Sequence, residues 1–334
     1  MRAEAVWHGG DLASARMLFP HAPEPWIDLS TGINPVPYPL GDLPPHVFQL
    51  LPSPSQQAEL EQIAAQAYGA RSAAHVAAVP GTQAVLEVLP RLRKAGPLAV
   101  LGPTYAEHAI CWRKAGHEVF EVPNLDAAVC ANADVVVVVN PNNPDGRRFS
   151  PDQLHHLAQE LEGKGGLLVV DEAFADFENE NSLVPSLPEN TAVLRSFGKA
   201  YGLAGVRLGF IITAPSLATR VRERLGPWAV SGPALAAGLK ALGDTKWLHE
   251  AGRARARDAA RLDAVMKPVM GQPIGGTFLF RSFRAPHAPQ IFGQLGRAGI
   301  FVRRFSYDSS LLRLGLPGDE SQWQRLVAAL NPTA

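Results

Sequence analysis

Short apolar runs alternate with segments of helical period between about residue 75 and residue 212 of the chain. Several of these runs are unbroken Val and Leu sequences, which is typical of strands buried on both faces of a parallel sheet. The clearest predicted strands are residues 98–101, 135–139, 167–170, 192–194 and 206–212. The pattern therefore predicts an α/β fold in which helices wrap a mainly parallel sheet.

The pattern changes after about residue 231, where helical segments rich in Ala, Arg and Leu precede short strands at 277–280, 300–303 and 311–314. This order predicts a second, smaller α+β domain. A proline-rich stretch at 35–54 excludes a regular element there, and a helix is predicted at 56–68. We therefore divide the chain into an N-terminal arm at 1–45, a large domain at 46–230 and a small C-terminal domain at 231–334.

Composition and charge exclude several classes of function. With 31 basic and 31 acidic residues the chain has no net field that would gather a polyanion, so nucleic acid is not an expected partner. The first residues lack the apolar core of a signal peptide, and no apolar stretch approaches membrane-spanning length, so we expect a cytoplasmic protein. Cys111 and Cys130 fit neither a disulfide framework nor a metal motif, so we expect two core residues and no metal ion.

Polar and charged residues directly follow four of the predicted strands. The segments are Pro103-Thr104-Tyr105, Asn140-Pro141-Asn142-Asn143-Pro144, Asp171-Glu172-Ala173-Phe174 and Ser196-Phe197-Gly198-Lys199. Ligands of parallel sheets gather at the carboxyl ends of the strands, which lie at one edge of the sheet. The sequence therefore predicts a functional site at this edge.

Lys199 and Asp171 are the residues with the clearest chemical potential in these segments. Lys199 stands between two apolar strands, where partial desolvation would favour the neutral amine that attacks an aldehyde. Asp171 follows a buried run and offers an anion that can hold a proton on a ring nitrogen. Each residue has a structural alternative, a solvated loop lysine in one case and a helix cap in the other.

A phosphate site is predicted at the turn Gly81-Thr82-Gln83, which opens a helix. The free N–H groups and the dipole of a helix start suit a dianion. Ser196 and Arg207 can complete the group with a hydroxyl and a guanidinium. Because a Gly-Thr helix start is common, this feature carries weight only together with Lys199 and Asp171.

These residues together resemble the fold-type I pyridoxal-phosphate enzymes of the aspartate aminotransferase superfamily, particularly its histidinol-phosphate aminotransferase branch. The resemblance spans most of the chain and rests on Pro-Asn-Asn-Pro at 141–144, Val-Asp-Glu-Ala at 170–173, and Ser-x-x-Lys at 196–199 followed by Arg207. It implies the fold-type I architecture, with a seven-stranded, mainly parallel sheet in the large domain. It also implies pyridoxal 5'-phosphate as cofactor and a homodimer, since the family's sites form between subunits.

The resemblance also implies roles for individual residues. Lys199 would carry the cofactor as a Schiff base and act as the catalytic residue. Asn143 would hydrogen-bond the phenolate oxygen of the cofactor, Asp171 would bond its ring nitrogen, and Tyr105 would stack on its ring. The remaining cofactor-binding residues would be Gly81, Thr82, Gln83, Ser196 and Arg207.

Within this branch, three features resemble the L-threonine O-3-phosphate decarboxylases of cobalamin biosynthesis. They are the segment His8-Gly9-Gly10-Asp11, the segment Asp28-Leu29-Ser30-Thr31-Gly32-Ile33-Asn34-Pro35, and Phe174 where aminotransferases carry tyrosine. This resemblance implies a phosphorylated amino acid as substrate, which loses CO2 to give (R)-1-aminopropan-2-ol phosphate. The substrate-binding residues would be His8, Gly9, Gly32, Asn143, Arg303 and Arg313.

The choice between decarboxylation and amino transfer depends on which substrate group the arginines bind. If Arg303 and Arg313 hold the phosphate, the carboxylate is free to stand perpendicular to the cofactor ring and to leave. An aminotransferase instead fixes the carboxylate near the ring plane. Arg304 neighbours Arg303, and only one of two consecutive strand residues can face the site. Arg313 lies between apolar residues, and a buried arginine needs an anion.

Three positions depart from the family pattern. Gly32 stands where some relatives carry asparagine, so a side-chain contact there becomes a backbone contact or is lost. Leu51 stands where many relatives carry a tyrosine that reaches the neighbouring subunit's cofactor phosphate. Phe174 has no hydroxyl for the phenolate oxygen, which leaves that hydrogen bond to Asn143.

Three other functions compete with the decarboxylase. A histidinol-phosphate aminotransferase would use the same cofactor residues with 2-oxoglutarate as partner; Phe174 and the His8-Gly9-Gly10 segment argue against it. A nucleotide-driven machine would need the phosphate-binding motif G-x-x-x-x-G-K-[ST], which the chain lacks. A non-catalytic binding protein on the same fold would not need Lys199 and Asp171.

Overall fold

The computed structural model describes the helices and strands of residues 9–331. The helices are α1 (Leu12–Leu18), α2 (His46–Gln49), α3 (Pro54–Tyr68), α4 (Thr82–Val88), α5 (Ala106–Lys114), α6 (Leu125–Cys130), α7 (Pro151–Glu162), α8 (Phe197–Ala200), α9 (Pro215–Leu225), α10 (Gly232–Ala241), α11 (Thr245–Met270), α12 (Ala288–Arg297) and α13 (Glu320–Leu330). The strands are β1 (Ile27–Leu29), β2 (Val76–Val79), β3 (Pro97–Leu101), β4 (Glu118–Val122), β5 (Val135–Val139), β6 (Leu167–Asp171), β7 (Thr191–Ser196), β8 (Gly209–Thr213), β9 (Gly275–Thr277), β10 (Phe280–Arg284), β11 (Ile300–Phe305) and β12 (Asp308–Gly315).

Seven of the strands form one sheet in the order β2-β8-β7-β6-β5-β3-β4. All neighbouring pairs are parallel except the two that involve β8, which runs antiparallel to β2 and to β7. The prediction of a seven-stranded, mainly parallel sheet is therefore confirmed. Because β3, β5, β6 and β7 are parallel neighbours, their carboxyl ends lie along one edge.

Both faces of this sheet are buried, as the unbroken apolar runs predict. In β5, Val136 and Val138 belong to a core that includes residues of α3, α7 and α10. Val135 and Val137 belong to a second core, which includes residues of α4, α5 and α9. The alternation of strand side chains between two faces thus produces three layers, helix on sheet on helix.

A second sheet has five strands in the order β1-β11-β12-β10-β9. β1 pairs with β11 in parallel, and the remaining pairs are antiparallel. One face carries Val302 and Leu312, which pack in a core with Leu262 of α11, Phe292 of α12 and Trp323 of α13. This arrangement confirms the predicted α+β character of the late segments and adds a strand from the N-terminal part of the chain.

The chain divides into two compact units. The larger unit comprises Pro37–Asn143 and Arg147–Glu250 and contains the seven-stranded sheet. The smaller unit comprises the described parts of Met1–Val36 and Ala251–Ala334, together with Pro144–Gly146, and contains the five-stranded sheet. These units are defined by compactness, whereas a domain is a part of the chain that folds independently. The division at residues 45 and 230 stays a prediction for that reason.

Two of the predicted strands were wrong in their extent. Residues 277–280 are the turn of a hairpin, because β9 ends at Thr277 and β10 begins at Phe280, and the Leu279 N–H donates to Thr277 Oγ1 at 3.1 Å. Residues 206–208 lie outside β8, because Arg207 has a left-handed backbone conformation (φ 58°) that a strand does not contain.

Two further local predictions were also wrong. The stretch 35–54 contains the four-residue helix α2, with Pro45 at its N-cap, where the missing N–H of proline does no harm. Cys130 is exposed at the end of α6, whereas Cys111 is buried as expected. A six-residue helix on the surface has one face in water, and Cys130 lies on that face.

Candidate functional site

The residues predicted for the cofactor lie in the larger unit, at or just after the ends of neighbouring strands. Asp171 ends β6 and Ser196 ends β7, while Asn143 and Tyr105 lie in the loops after β5 and β3. The two loops are joined by Asn142, whose Oδ1 accepts a hydrogen bond from Thr104 Oγ1 at 2.6 Å. The parallel order of the strands thus brings these residues to one edge of the sheet.

Asp171 is a buried carboxylate held by two hydrogen bonds. Its Oδ1 accepts from the Ala173 N–H at 3.0 Å, and its Oδ2 lies 2.8 Å from His108 Nε2. Because a carboxylate only accepts, the His108 imidazole is the donor of the second bond. This pairing replaces the structural alternative of a helix cap, since no helix begins within two residues of Asp171.

His108 is a residue that sequence reasoning missed. It is buried on α5, and its ring meets the ring of Tyr105 edge-on, with centroids 6.1 Å apart and planes at 87°. The signal in the sequence was the spacing of three positions between Tyr105 and His108, which puts both on one side of a helix start. One short segment therefore supplies both an aromatic ring and the group that orients Asp171.

Lys199 lies in the four-residue helix α8, directly after β7. It is half-buried, and its Nζ lies 5.4 Å from the centroid of the buried Phe174 ring. The helix packs tightly at Gly198, where an added Cβ would lie 2.7 Å from Ala204 Cα. These contacts put the amine beside an aromatic ring, so the solvated loop lysine is not what the structure contains.

The residues predicted to bind a phosphate come together at the start of α4. Gly81 has a left-handed backbone conformation (φ 79°), and the position of a Cβ there would be 2.9 Å from Arg207 Nη2. A Cβ on Gly209, the partner of Ser196 across β7 and β8, would lie 2.8 Å from Thr82 N. The glycines therefore let the Arg207 guanidinium and the backbone of the helix start pack closely against this turn, and a cation beside free backbone N–H groups suits a phosphate dianion.

Gln83 contacts the aromatic residue of the site. Its Oε1 accepts a hydrogen bond from the Tyr105 hydroxyl at 3.4 Å, and its Nε2 lies 3.4 Å from Glu107 Oε2. The side chain of Gln83 therefore holds the hydroxyl end of the Tyr105 ring.

Arg303 and Arg313 lie side by side in the smaller unit. They are direct partners in the pairing of β11 with β12, so their side chains are on the same face of the sheet. Arg313 is buried, and its Nη2 donates to the Ser30 carbonyl oxygen at 2.7 Å. Burial and then the like charge of Arg303 lower the pKa of Arg313 to about 9. Two adjacent cations of this kind form a site for an anion.

Arg304 faces the opposite side of the same strand. Its guanidinium lies 3.9 Å from the centroid of the Phe292 ring of α12, on the face of the sheet that the helices cover. Burial lowers the pKa of Arg304 as well. Arg303 is therefore the one of the two neighbours that shares a face of the sheet with Arg313.

Gly9 and Gly32 belong to the smaller unit too. A Cβ on Gly9 would lie 2.4 Å from the Ser30 carbonyl oxygen, so only glycine fits against that backbone. Gly32 is buried two residues further along the segment that follows β1. His8, which was predicted to join them in binding substrate, lies outside the described residues.

Residues 45–330 match the family model of aminotransferases of class I and II. The chain belongs to this family. The match includes the whole seven-stranded sheet and all of the late helices and strands.

Two relatives are similar to this chain over nearly their whole length. The threonine-phosphate decarboxylase of Pseudomonas aeruginosa is 40% identical over 325 residues, which are 97% of this chain and 96% of the relative. The threonine-phosphate decarboxylase of a Sinorhizobium species is 42% identical over 330 residues, which are 97% of each chain.

Solved structures of the family have the same fold. The histidinol-phosphate aminotransferase from Sinorhizobium meliloti in complex with pyridoxal-5'-phosphate superposes with a TM-score of 0.80 at 23% identity, covering 98% of this chain and 94% of that one. The L-threonine-O-3-phosphate decarboxylase from Porphyromonas gingivalis superposes with a TM-score of 0.77 at 22% identity, covering 91% and 98%.

A buried ionic cluster lies beside two of the residues predicted to bind the cofactor. Arg195 donates from Nη1 to Glu172 Oε2 at 2.7 Å and from Nη2 to Asp176 Oδ1 at 2.6 Å. Burial opposes the charge, but Asp176 and Glu172 raise the pKa of Arg195 above its ordinary value. Arg195 and Glu172 directly neighbour Ser196 and Asp171, so the cluster fixes the ends of β7 and β6.

Neither a metal-binding group of side chains nor a membrane-spanning helix occurs in the described part of the chain. Among residues 9–331, histidine, cysteine and acidic side chains do not gather in any group of three that could hold a metal ion. In the same part of the chain, every helix is too short or too polar to cross a bilayer.

Proposed function

We propose that this chain decarboxylates L-threonine O-3-phosphate to (R)-1-aminopropan-2-ol phosphate and CO2, as a carbon–carbon lyase with pyridoxal 5'-phosphate as cofactor. The observation that carries the proposal is the 40% and 42% identity, over 97% of the chain, to two threonine-phosphate decarboxylases. The product would serve as the aminopropanol linker of cobalamin, and the cytoplasm is the expected compartment.

The residues of the larger unit fit the cofactor. Bound pyridoxal phosphate supplies a protonated ring that accepts the electron pair left when a carboxylate departs as CO2. Asp171, which is oriented by His108, would hold the proton on the ring nitrogen, and Asn143 would donate to the phenolate oxygen. Lys199 would hold the cofactor through its amine, and Tyr105 would be the aromatic residue beside the ring. Gly81, Thr82, Ser196 and Arg207 would bind the cofactor phosphate, and Gln83 holds the Tyr105 hydroxyl.

The residues of the smaller unit fit the substrate phosphate. Arg303 and Arg313 present two guanidinium groups on one face of the sheet, and guanidinium groups bind phosphate oxygens in pairs. Gly9 and Gly32 offer backbone groups, and His8 and Asn143 complete the proposed set. With both arginines on the phosphate, the substrate carboxylate is not held in place and is free to leave.

An assay of two products tests this proposal. The holoenzyme is expected to release CO2 from L-threonine O-3-phosphate in amounts equal to the aminopropanol phosphate formed. The matched reaction contains histidinol phosphate and 2-oxoglutarate, and it should form glutamate at less than about one hundredth of that rate. Glutamate formation without CO2 release would replace the decarboxylase by the aminotransferase.

We also propose that the functional form is a homodimer. α2 and the residues after it expose three large apolar side chains within four positions of the chain, with 67% of Phe48, 67% of Leu50 and 69% of Leu51 accessible. A contiguous exposed patch of large apolar side chains marks a contact surface. Leu51 also occupies the position at which many relatives carry the tyrosine that reaches a neighbouring subunit, so the same surface would cover it.

Disrupting this patch is expected to produce monomers. The double variant Phe48→Glu, Leu51→Glu should elute with a light-scattering mass near 35.8 kDa, whereas the unmodified protein should have twice that mass. Two charges desolvated in an interface outweigh a typical apolar contact. Met17→Glu is the control, because Met17 of α1 is 77% exposed and lies outside the patch. A dimeric double variant would exclude this surface.

A further inference from the structure

Ser30 is a buried hydroxyl with defined partners and no role among the cofactor or substrate residues. Its Oγ donates to Asp28 Oδ1 at 2.5 Å and accepts from the Gly10 N–H at 2.8 Å. Its own N–H donates to Asp28 Oδ1 at 2.8 Å, which closes a tight turn after β1. The donor and the acceptor capacity of the hydroxyl are therefore both used.

The carbonyl group of Ser30 contacts two further elements. Its oxygen accepts the hydrogen bond from Arg313 Nη2 at 2.7 Å. The same oxygen lies 2.4 Å from the position of a Cβ on Gly9, so the backbone of Gly9 rests directly against it. Ser30 thus contacts Gly9 and Gly10 of the N-terminal segment on one side and Arg313 of β12 on the other.

The neighbouring backbone is equally constrained. An added Cβ on Gly315, two residues after Arg313 in β12, would lie 2.3 Å from the Thr31 carbonyl oxygen. The turn at 28–31 therefore lies between β12 and the N-terminal segment with no room for adjustment on either side.

We propose that Ser30 is a positioning residue for the substrate phosphate: through Asp28, Gly10 and Arg313 it fixes the N-terminal segment and the buried arginine relative to each other. This inference rests on the proposed function, which makes Gly9 and Arg313 phosphate-binding groups. Ser30 is assigned no direct contact with substrate or cofactor, because its hydroxyl and its carbonyl bond to protein groups. Its hydroxyl sets where the Gly9-Gly10 backbone lies, and its carbonyl sets the direction of one guanidinium N–H.

Ser30→Ala in the holoenzyme tests the proposal by separating KM from kcat. Removing the hydroxyl leaves the Gly10 N–H without its acceptor, so the KM for L-threonine O-3-phosphate should rise about tenfold. Because the hydroxyl transfers no proton, kcat should change less than about twofold. Ser30→Thr keeps the hydroxyl and should restore most of the lost affinity. An unchanged KM, or a fall in kcat alone, would overturn the role.

Ser310→Ala is a matched control. Ser310 makes the same pair of bonds as Ser30, from its N–H at 2.9 Å and its Oγ at 2.5 Å, to Oδ1 of Asp308 two residues before it. Its carbonyl accepts from the Ala285 N–H instead of from an arginine. Ser310→Ala should leave the KM for L-threonine O-3-phosphate within about twofold of the unmodified protein. An equal rise in KM in both variants would mean that the effect comes from a general loss of rigidity in the smaller unit.

Hydrogen exchange separates a failure of this inference from a failure of the proposed function. In the holoenzyme without substrate, Ser30→Ala should accelerate deuterium uptake at Gly10 about tenfold over the unmodified protein and over Ser310→Ala. Equal deuterium uptake at Gly10 in all three proteins would exclude the positioning role, whether or not the proteins release CO2. Absence of CO2 release from the unmodified protein would remove the substrate assignment, and the exchange result would still decide whether Ser30 holds the segment.

Discussion

Replacing Lys199 by alanine is expected to lower the rate of CO2 release from L-threonine O-3-phosphate by at least about a thousandfold. Under the proposed function the Lys199 amine would hold the cofactor aldehyde and would return a proton to the substrate carbon, and proton transfer by a positioned side chain contributes roughly 10²–10⁴-fold on its own. The fold should survive, because a four-residue helix tolerates alanine and the change removes no buried apolar atom of the sheet. The rate is measured with saturating cofactor.

A second measurement and a control make this prediction specific to one amine. Borohydride treatment of the holoenzyme should leave a pyridoxyl mass on the peptide that contains Lys199, and the Lys199→Ala protein should acquire none. Lys164→Ala is the control, because Lys164 Nζ lies at the surface and donates to Asn132 Oδ1 at 3.0 Å. A label on another lysine, or a Lys199→Ala protein that releases CO2 at an undiminished rate, would contradict the assignment.

The parts of the fold that followed from the sequence are those that depend on burial along single strands. Five consecutive valines at Val135–Val139 are buried on both faces, so the run specified its own environment without knowledge of its neighbours. Once those strands were placed, the position of Asp171 and Lys199 at their carboxyl ends followed, because parallel strands share one edge. The apolar pattern along a single strand was sufficient to predict that strand wherever the pattern determined burial.

The parts that did not follow depend on contacts between distant segments. His108 lies 63 positions before Asp171, and nothing in the alternation of apolar residues pairs them. β1 joins the five-stranded sheet through β11, about 270 residues later, so an N-terminal arm could not be seen as part of that sheet. The wrong strand at residues 277–280 had another cause. A hairpin turn made of Phe278 and Leu279 is apolar, and turns are recognised by their polar residues and glycines.

The paired arginines fall between these two cases. The sequence placed Arg303 and Arg304 on one strand, which guaranteed that one of them faces each side, but it could not say which. The register of β11 with β12 decides the matter by placing Arg303 opposite Arg313. The packing of Arg304 over Phe292 gives the other guanidinium a different task, that of covering an apolar ring.

The two sides of β11 should therefore respond differently to the same substitution. Arg313→Ala and Arg303→Ala are each expected to raise the KM for L-threonine O-3-phosphate by about 30-fold or more, since each removes a charge-assisted partner of a desolvated phosphate. Arg304→Ala removes the same side chain from the opposite face and should leave KM within about twofold while weakening the packing of α12 on the sheet. Steady-state kinetics with the phosphorylated substrate measures all three variants, and circular dichroism establishes that each is folded. An equal rise in KM for Arg304→Ala, or an unchanged KM for Arg313→Ala, would mean that the phosphate is bound elsewhere and that charge on this sheet serves folding alone.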